Sequence, residues 1–115
     1  EVYQLAEVIN EEAGRIIIPR NTINKPPSAE LAPDQKDEDT LPPYSVLDEI
    51  LRGHIEEGQS SAQIVAKGIA EELVDEVLSR LVRNEHKRWQ MPPAPRVSSR
   101  AFGQGWRLPM AARRT

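Results

Sequence analysis

The side chains best suited to chemistry form two clusters of opposite sign. One is acidic, Asp37-Glu38-Asp39, with Glu30 and Asp34 just ahead of it. The other is cationic, His86-Lys87-Arg88, followed at once by Trp89. Neighbouring carboxylates can hold a divalent cation through their oxygens. Here they lack the glycine and ligand spacing of a defined site, which leaves solvated charge as the competing reading. Three cation-capable side chains can grip a phosphate or carboxylate through charge-assisted hydrogen bonds. Their competing reading is simple pairing with the negative end of a helix. His54, the other histidine, sits near Glu57 and reads as a solvated or half-buried helix residue.

Several chemistries are excluded by what the 115 residues contain. There is no cysteine, hence no disulfide, no Cys-ligated zinc and no thiol nucleophile. No nucleophile elbow, HExxH pair or glycine-rich phosphate cradle occurs, and the six glycines are isolated. One alternative class stays open. Residues 60–90 resemble a helix-turn-helix reader whose second helix ends in Arg80, Arg83, Lys87 and Arg88. Against it, Glu71, Glu72, Asp75 and Glu76 occupy the turns where base contacts belong, and carboxylates there repel phosphates. A non-enzymatic interaction domain is a third option.

The elements that must position these clusters follow from periodicity. Val2, Leu5, Ala6 and Ile9 share one helical face, and Asn10 to Gly14 suit its end. Arg15 to Pro19, with three consecutive isoleucines, reads as a short strand or a buried extended segment. Residues 25–44, KPPSAELAPDQKDEDTLPPY, hold five prolines and five acids. Proline breaks a helix and is excluded from central strands, so this is a long loop, of a length that is usually functional or disordered. Ordered anchors on both sides favour a lid or ligand loop.

A helical segment over 45–90 follows. Val46, Leu47, Ile50, Leu51 and Ile55 mark its first helix, with Ser45 and Asp48 as an imperfect capping box. Gly58 closes that helix. Ser60 and Gln63 form a better box, opening a short helix that Gly68 ends. From Glu71, the residues Leu73, Val74, Val77, Leu78, Leu81 and Val82 predict a third helix, which either runs on to Gln90 or restarts at Asn84. Residues 91–115 read as an extended tail, docking through Phe102 and Trp106.

Composition sets the scale. The chain is 38% hydrophobic and 4% aromatic, with ten prolines, so only 2–18 and 46–83 offer material for a dense core. The net charge of −3 is uneven. Residues 1–57 carry 13 acids against 5 bases, and residues 84–115 carry 1 acid against 7 bases. A basic tail suits nucleic acid, a phosphate-bearing ligand or an acidic partner surface. No apolar run approaches the ~20 residues that span a bilayer, and the lack of cysteines makes an intracellular setting the default expectation.

Taken together, KPPSAELAPDQKDEDTLPPY, the VLDEIL helix and RNEHKRWQMPP leading into SSRAFGQGWRLP resemble the C-terminal end of NAD synthetase. The likeness runs from Val2 to Pro109, and the SRAFGQGWRLP tail is more similar to the long, glutamine-dependent form than to the ammonia-dependent one. The resemblance implies a mostly α portion of an α/β adenine-nucleotide α-hydrolase-like domain, cytoplasmic and working as a homo-oligomer. It implies a ligase: ATP adenylates the nicotinate carboxylate of deamido-NAD with release of pyrophosphate, and ammonia drawn from glutamine displaces AMP to give NAD.

Position by position, the resemblance implies that Ser28 contacts ATP phosphate and that 32–41 lie in a mobile loop over bound nucleotide. Asp37 and Glu38 are implied to lie near the substrate, and His86 and Lys87 to contact deamido-NAD. ATP and Mg²⁺ are the implied cofactors. The family's SGGxDS pyrophosphate signature and its Mg²⁺-binding acids are not among these residues. The expectation is therefore a fragment that is inactive by itself, without membrane association and with nucleic acid disfavoured as a partner.

Overall fold

Helix α1 spans Val2–Glu12, where periodicity places it. Its apolar face is only partly covered: Val2 is 80% exposed and Leu5 59%, while Ala6 and Ile9 are half-buried. The one buried residue of α1 is polar, Asn10. In the computed structural model, which describes residues 2–100 and 105–110 of the chain, the residues separate into two units, Glu1–Leu41 and Pro42–Thr115.

In the first unit, Asn10 accounts for the segment after α1. Its Oδ1 accepts the Ile17 and Ile18 N–H groups, both at 2.8 Å, and its Nδ2 donates to the Ile18 carbonyl at 2.9 Å. Backbone groups that a strand would offer to a neighbour are thus taken by one side chain. The expected strand at 15–19 does not form, and Ile16 and Ile17 are exposed rather than buried. Helix α2, Arg20–Asn24, follows, an element that apolar periodicity does not announce. Pro19 precedes it with φ fixed at −61°, and its carbonyl accepts from Thr22 and Ile23. Arg20 pairs with Glu7 of α1.

In the second unit, α3 runs Tyr44–Leu51 and continues through a single π turn over Arg52–Glu56. The Glu57 N–H reaches the Arg52 carbonyl five residues back, at 3.1 Å. The capping box expected at Ser45 is absent. Pro43 takes the N-cap position, and its carbonyl accepts the Val46 and Leu47 N–H groups, which leaves Ser45 inside the helix. Gly53 is buried in the π turn. A Cβ there would meet Gln59 Oε1 at 2.9 Å and Ile64 Cγ1 at 3.3 Å, so a side chain would have to displace the Gln59 amide and press on Ile64. Gly58, at φ +67°, turns the chain out of this helix.

The Ser60–Gln63 capping box forms as predicted. Ser60 Oγ accepts the Gln63 N–H at 3.3 Å and Gln63 Oε1 accepts the Ser60 N–H at 2.8 Å. It opens α4, Ser61–Val65. Helix α5 is Glu71–Arg83, with Glu71 and Glu72 at its positive end and Arg80 and Arg83 at its negative end. The core comprises Ile50 of α3, Ile64 of α4, and Val74, Val77 and Leu78 of α5. Each such side chain contributes about 1.5–3 kcal/mol on burial. The core thus comes from 46–83 alone, and 2–18 contributes none of it. Among the described residues no strand forms, and no helix is long and apolar enough to cross a membrane.

Candidate functional site

Asn84 decides how the cationic cluster is presented. Its N–H and its Nδ2 both donate to the Arg80 carbonyl, at 3.0 and 2.8 Å, and α5 stops there. The chain restarts as α6, Glu85–Arg88, so the cluster lies on a separate single turn, not at the end of a long helix. In such a turn residues three apart share a face. Glu85 and Arg88 point inward, 1% and 8% exposed, while His86 and Lys87 between them are exposed.

The inward pair meets the returning tail. Arg88 Nη1 donates to Glu85 Oε2 at 2.9 Å, and Arg88 Nη2 donates to the Trp106 carbonyl at 2.6 Å. The Leu108 N–H donates to the other Glu85 oxygen at 3.3 Å. The guanidinium also lies over the Trp106 ring, 4.7 Å from its centroid. His54 meets the same ring edge-on at 5.6 Å, and its Nδ1 lies 3.3 Å from the Gln59 carbonyl. Next to this, Arg107 stacks over Trp89 at 4.3 Å. Burial pushes the Arg88 guanidinium below its usual value; the Glu85 carboxylate opposes that, and the Arg107 charge adds to it. A guanidinium keeps its proton through such a shift at neutral pH.

The cationic triplet read from the sequence therefore divides. Arg88 is engaged with Glu85 and the tail and is not offered to a ligand. His86 and Lys87 are exposed. His86 Nδ1 lies 3.2 Å from the Arg83 carbonyl; a carbonyl only accepts, so Nδ1 carries the proton and Nε2 is the acceptor of the neutral ring. The Lys87 ammonium has no ion-pair partner among the described residues. Trp106 docks as expected, whereas Phe102 lies outside the described residues.

The acidic loop belongs to the first unit. Ser28 is half-buried and its Oγ accepts the Glu30 N–H at 3.0 Å. The Asp37 N–H donates to the Pro27 carbonyl at 2.9 Å, which brings half-buried Asp37 alongside the Pro27–Ser28 segment. Asp37–Asp39 form one 3₁₀ turn. Asp39 Oδ2 accepts the Lys36 N–H at 2.8 Å, and Glu38 is exposed. Hydrogen bonding to Lys25, and then the Lys25 charge, hold the exposed Glu30 carboxyl below its ordinary value against a small opposing cost of burial. No group of three or more His, Asp or Glu poised for a metal occurs among the described residues. An open cleft of about 340 Å³ beside Asn10 and Arg20 includes none of these site candidates.

The structure thus joins Ser28 to Asp37 and Glu38 in one unit and His86 to Lys87 in the other. Reading the sequence missed Glu85 as the partner of Arg88. The signal available was that Glu85 is the one acid in a stretch of seven bases. A helix pair does form over α4 and α5, but Glu71 and Glu72 are exposed at the start of α5, where a DNA reader would need to approach phosphates.

Three comparisons with known proteins bear on this arrangement. A family model described as NAD synthase matches residues 1–92. A glutamine-dependent NAD(+) synthetase of Acinetobacter baylyi is 49% identical over 95% of this chain, and one of Thermotoga maritima is 45% identical over 98%. The chain spans about 20% of the length of each of these relatives. The structure of glutamine-dependent NAD+ synthetase from Acinetobacter baumannii in complex with ADP superposes with a TM-score of 0.59 at 37% identity. It covers 95% of this chain, which corresponds to 18% of that protein.

Proposed function

The chain belongs to the NAD synthase family, and on that premise we propose that it is the C-terminal part of a glutamine-dependent NAD synthetase. The complete enzyme is a cytoplasmic homo-oligomer that converts deamido-NAD to NAD with consumption of ATP, using ammonia released from glutamine. The adenylated nicotinate carboxylate is the intermediate from which ammonia displaces AMP. The observation that carries this reading is the identity of 45–49% sustained over 95–98% of the chain.

Within that reaction the chain's own residues bind and orient. His86 and Lys87, exposed on a turn held from below, suit the anionic dinucleotide: a compact ammonium for a phosphate oxygen, and an imidazole beside it. The Ser28 hydroxyl can donate to an ATP phosphate while its oxygen keeps the Glu30 N–H. Asp37 and Glu38 are carboxylates, so near the same ligand they suit its donors, such as ribose hydroxyls, and not its phosphates. Mg²⁺ accompanies ATP, and the described residues supply no fitting donor set for it, so no step is assigned to a metal held here. The proposed division of labour leaves adenylation to residues beyond these 115.

Two measurements test it. The purified 115-residue chain should form no NAD from ATP, deamido-NAD and ammonia, because positioned phosphate donors and metal carry such chemistry. Turnover above background would refute the reading. In the complete enzyme, Lys87→Ala removes a charge-assisted contact of about 1.5–3 kcal/mol, so KM for deamido-NAD should rise roughly ten- to a hundredfold. An unchanged KM and kcat would remove Lys87 from the site.

A further inference from the structure

The geometry points to Glu85 and Arg88 as positioning residues for deamido-NAD, acting through His86 and Lys87, with the Trp106–Leu108 tail as their anchor. This deepens the functional reading above and rests on it. Helix α6 is four residues long, far too short to hold itself. Asn84 has cut it from α5, which keeps a hold on His86 through the Nδ1 contact with the Arg83 carbonyl. What fixes the rest of the turn is on its inner face. Arg88 bonds Glu85 with one terminal nitrogen and the Trp106 carbonyl with the other, and Glu85 uses its second oxygen on the Leu108 N–H. The two side chains and two backbone groups form a clamp that ties residues 18 to 23 positions apart.

The clamp is mostly closed to water, with Glu85 1% and Arg88 8% exposed. Buried charges of this kind are rarely chosen for stability, since well-packed apolar residues do as well. They do impose one geometry, because a charge left out of register keeps its desolvation cost. The two residues on either side of the cationic pair are thus locked by directional bonds, while His86 and Lys87 stay exposed to a ligand. The geometric consequence is that the backbone of Lys87 is held at a fixed place, and the entropy lost on binding in ordering its turn is reduced.

The test uses the complete enzyme and a double-substitution cycle. Arg88→Lys keeps the charge beside Glu85 but loses the planar fork that reaches Glu85 and the Trp106 carbonyl together. We expect it to fold, to raise KM for deamido-NAD about five- to tenfold, and to leave kcat and KM for ATP within about twofold. In a Lys87→Ala background the same substitution should have almost no further effect, since the residue it positions is gone. Glu85→Gln should behave alike. Should it fail to fold, Glu85→Leu combined with Arg88→Met replaces the whole pair with apolar groups. That variant should melt near wild type yet keep the raised KM.

Each other outcome overturns the inference. If Lys87→Ala raises KM and Arg88→Lys does not, the clamp is structural only and the site reading stands. If Arg88→Lys raises KM by the same factor with or without Lys87, it does not act through Lys87. A wild-type KM in the variant that combines Glu85→Leu with Arg88→Met means that packing alone suffices. If Lys87→Ala itself leaves KM unchanged, the site reading fails and the clamp has nothing to position.

Discussion

The two units of the chain solve the same problem in different ways. Pro42–Thr115 buries aliphatic side chains from three helices around Ile50, Ile64, Val74, Val77 and Leu78. Glu1–Leu41 buries no aliphatic side chain among the described residues; its one buried residue is Asn10, and its order comes from that amide and from turn hydrogen bonds. The difference teaches what each unit depends on. The second can stand on burial of apolar area. The first presents Val2, Leu5 and Val8 to solvent and relies on satisfied backbone groups, a weaker source of stability per interaction.

The sharpest way to break this contrast is one truncation made in both units. Leu78→Ala removes a side chain that is 3% exposed and should destabilise the chain by about 2–5 kcal/mol. Leu5→Ala removes one that is 59% exposed and should fall within about 0.5 kcal/mol of wild type. Denaturant unfolding measures both. Equal costs would mean that Leu5 is packed in solution and that the contrast is wrong.

Asn10→Ala comes next. It strips the acceptor from the Ile17 and Ile18 N–H groups and the donor from the Ile18 carbonyl. Part-buried groups left without partners cost about 1–3 kcal/mol. The effect should be local: amide exchange at Ile17 and Ile18 should accelerate, while amides of α5 keep their protection. Acceleration at α5 as well would show that the two units unfold together.

Smaller still is Ser60→Ala, which removes the hydroxyl that caps α4 and should cost about 0.5–2 kcal/mol. Restoration by Ser60→Asp, another good N-cap, would assign the loss to the cap; failure of Asp to restore stability would assign it elsewhere.

Legibility in the sequence follows the range of the interaction. The α5 stripe and the Ser60–Gln63 box are readable because each partner lies within one turn or two of the other. The Ile16–Ile18 run misleads because its hydrogen bonds go to an amide side chain on the preceding helix, which β-branched composition cannot indicate. At Ser45 the rule for caps points to the wrong residue, since Pro43 holds the N-cap position and its carbonyl accepts the Val46 and Leu47 amides of α3. Charge alone groups Arg88 with His86 and Lys87. Two contacts separate it from them: the ion pair with Glu85, three residues back and within reach of local spacing, and the bond to the Trp106 carbonyl, 18 residues on, of which local spacing holds no record. Resemblance, not spacing, singles out the pair His86–Lys87; the structure adds that they are exposed on a turn of their own.

The smallest effect belongs to the loop, where Lys25 and Glu30 form an ion pair with side chains 66% and 68% exposed. It is the counterpart of the buried Glu85–Arg88 pair, and its exposure means that water screens most of its energy. Glu30→Gln should leave the melting temperature at pH 7 unchanged within error. The pair still has a signature. Lys25 holds the Glu30 carboxyl below its ordinary value, so whatever the pair contributes is present above the unfolded carboxylate value, roughly pH 4.3, and is lost as pH falls through the lower folded value. Carboxyl NMR titration should therefore show the Glu30 midpoint rising in Lys25→Met relative to the unaltered chain. High salt should do the same in part, because the attraction lies in solvent. A Glu30 midpoint that is the same with and without Lys25 would mean that the pair does not form in solution. The Ser28 hydroxyl's bond to the Glu30 N–H would then be the interaction left at the head of the loop.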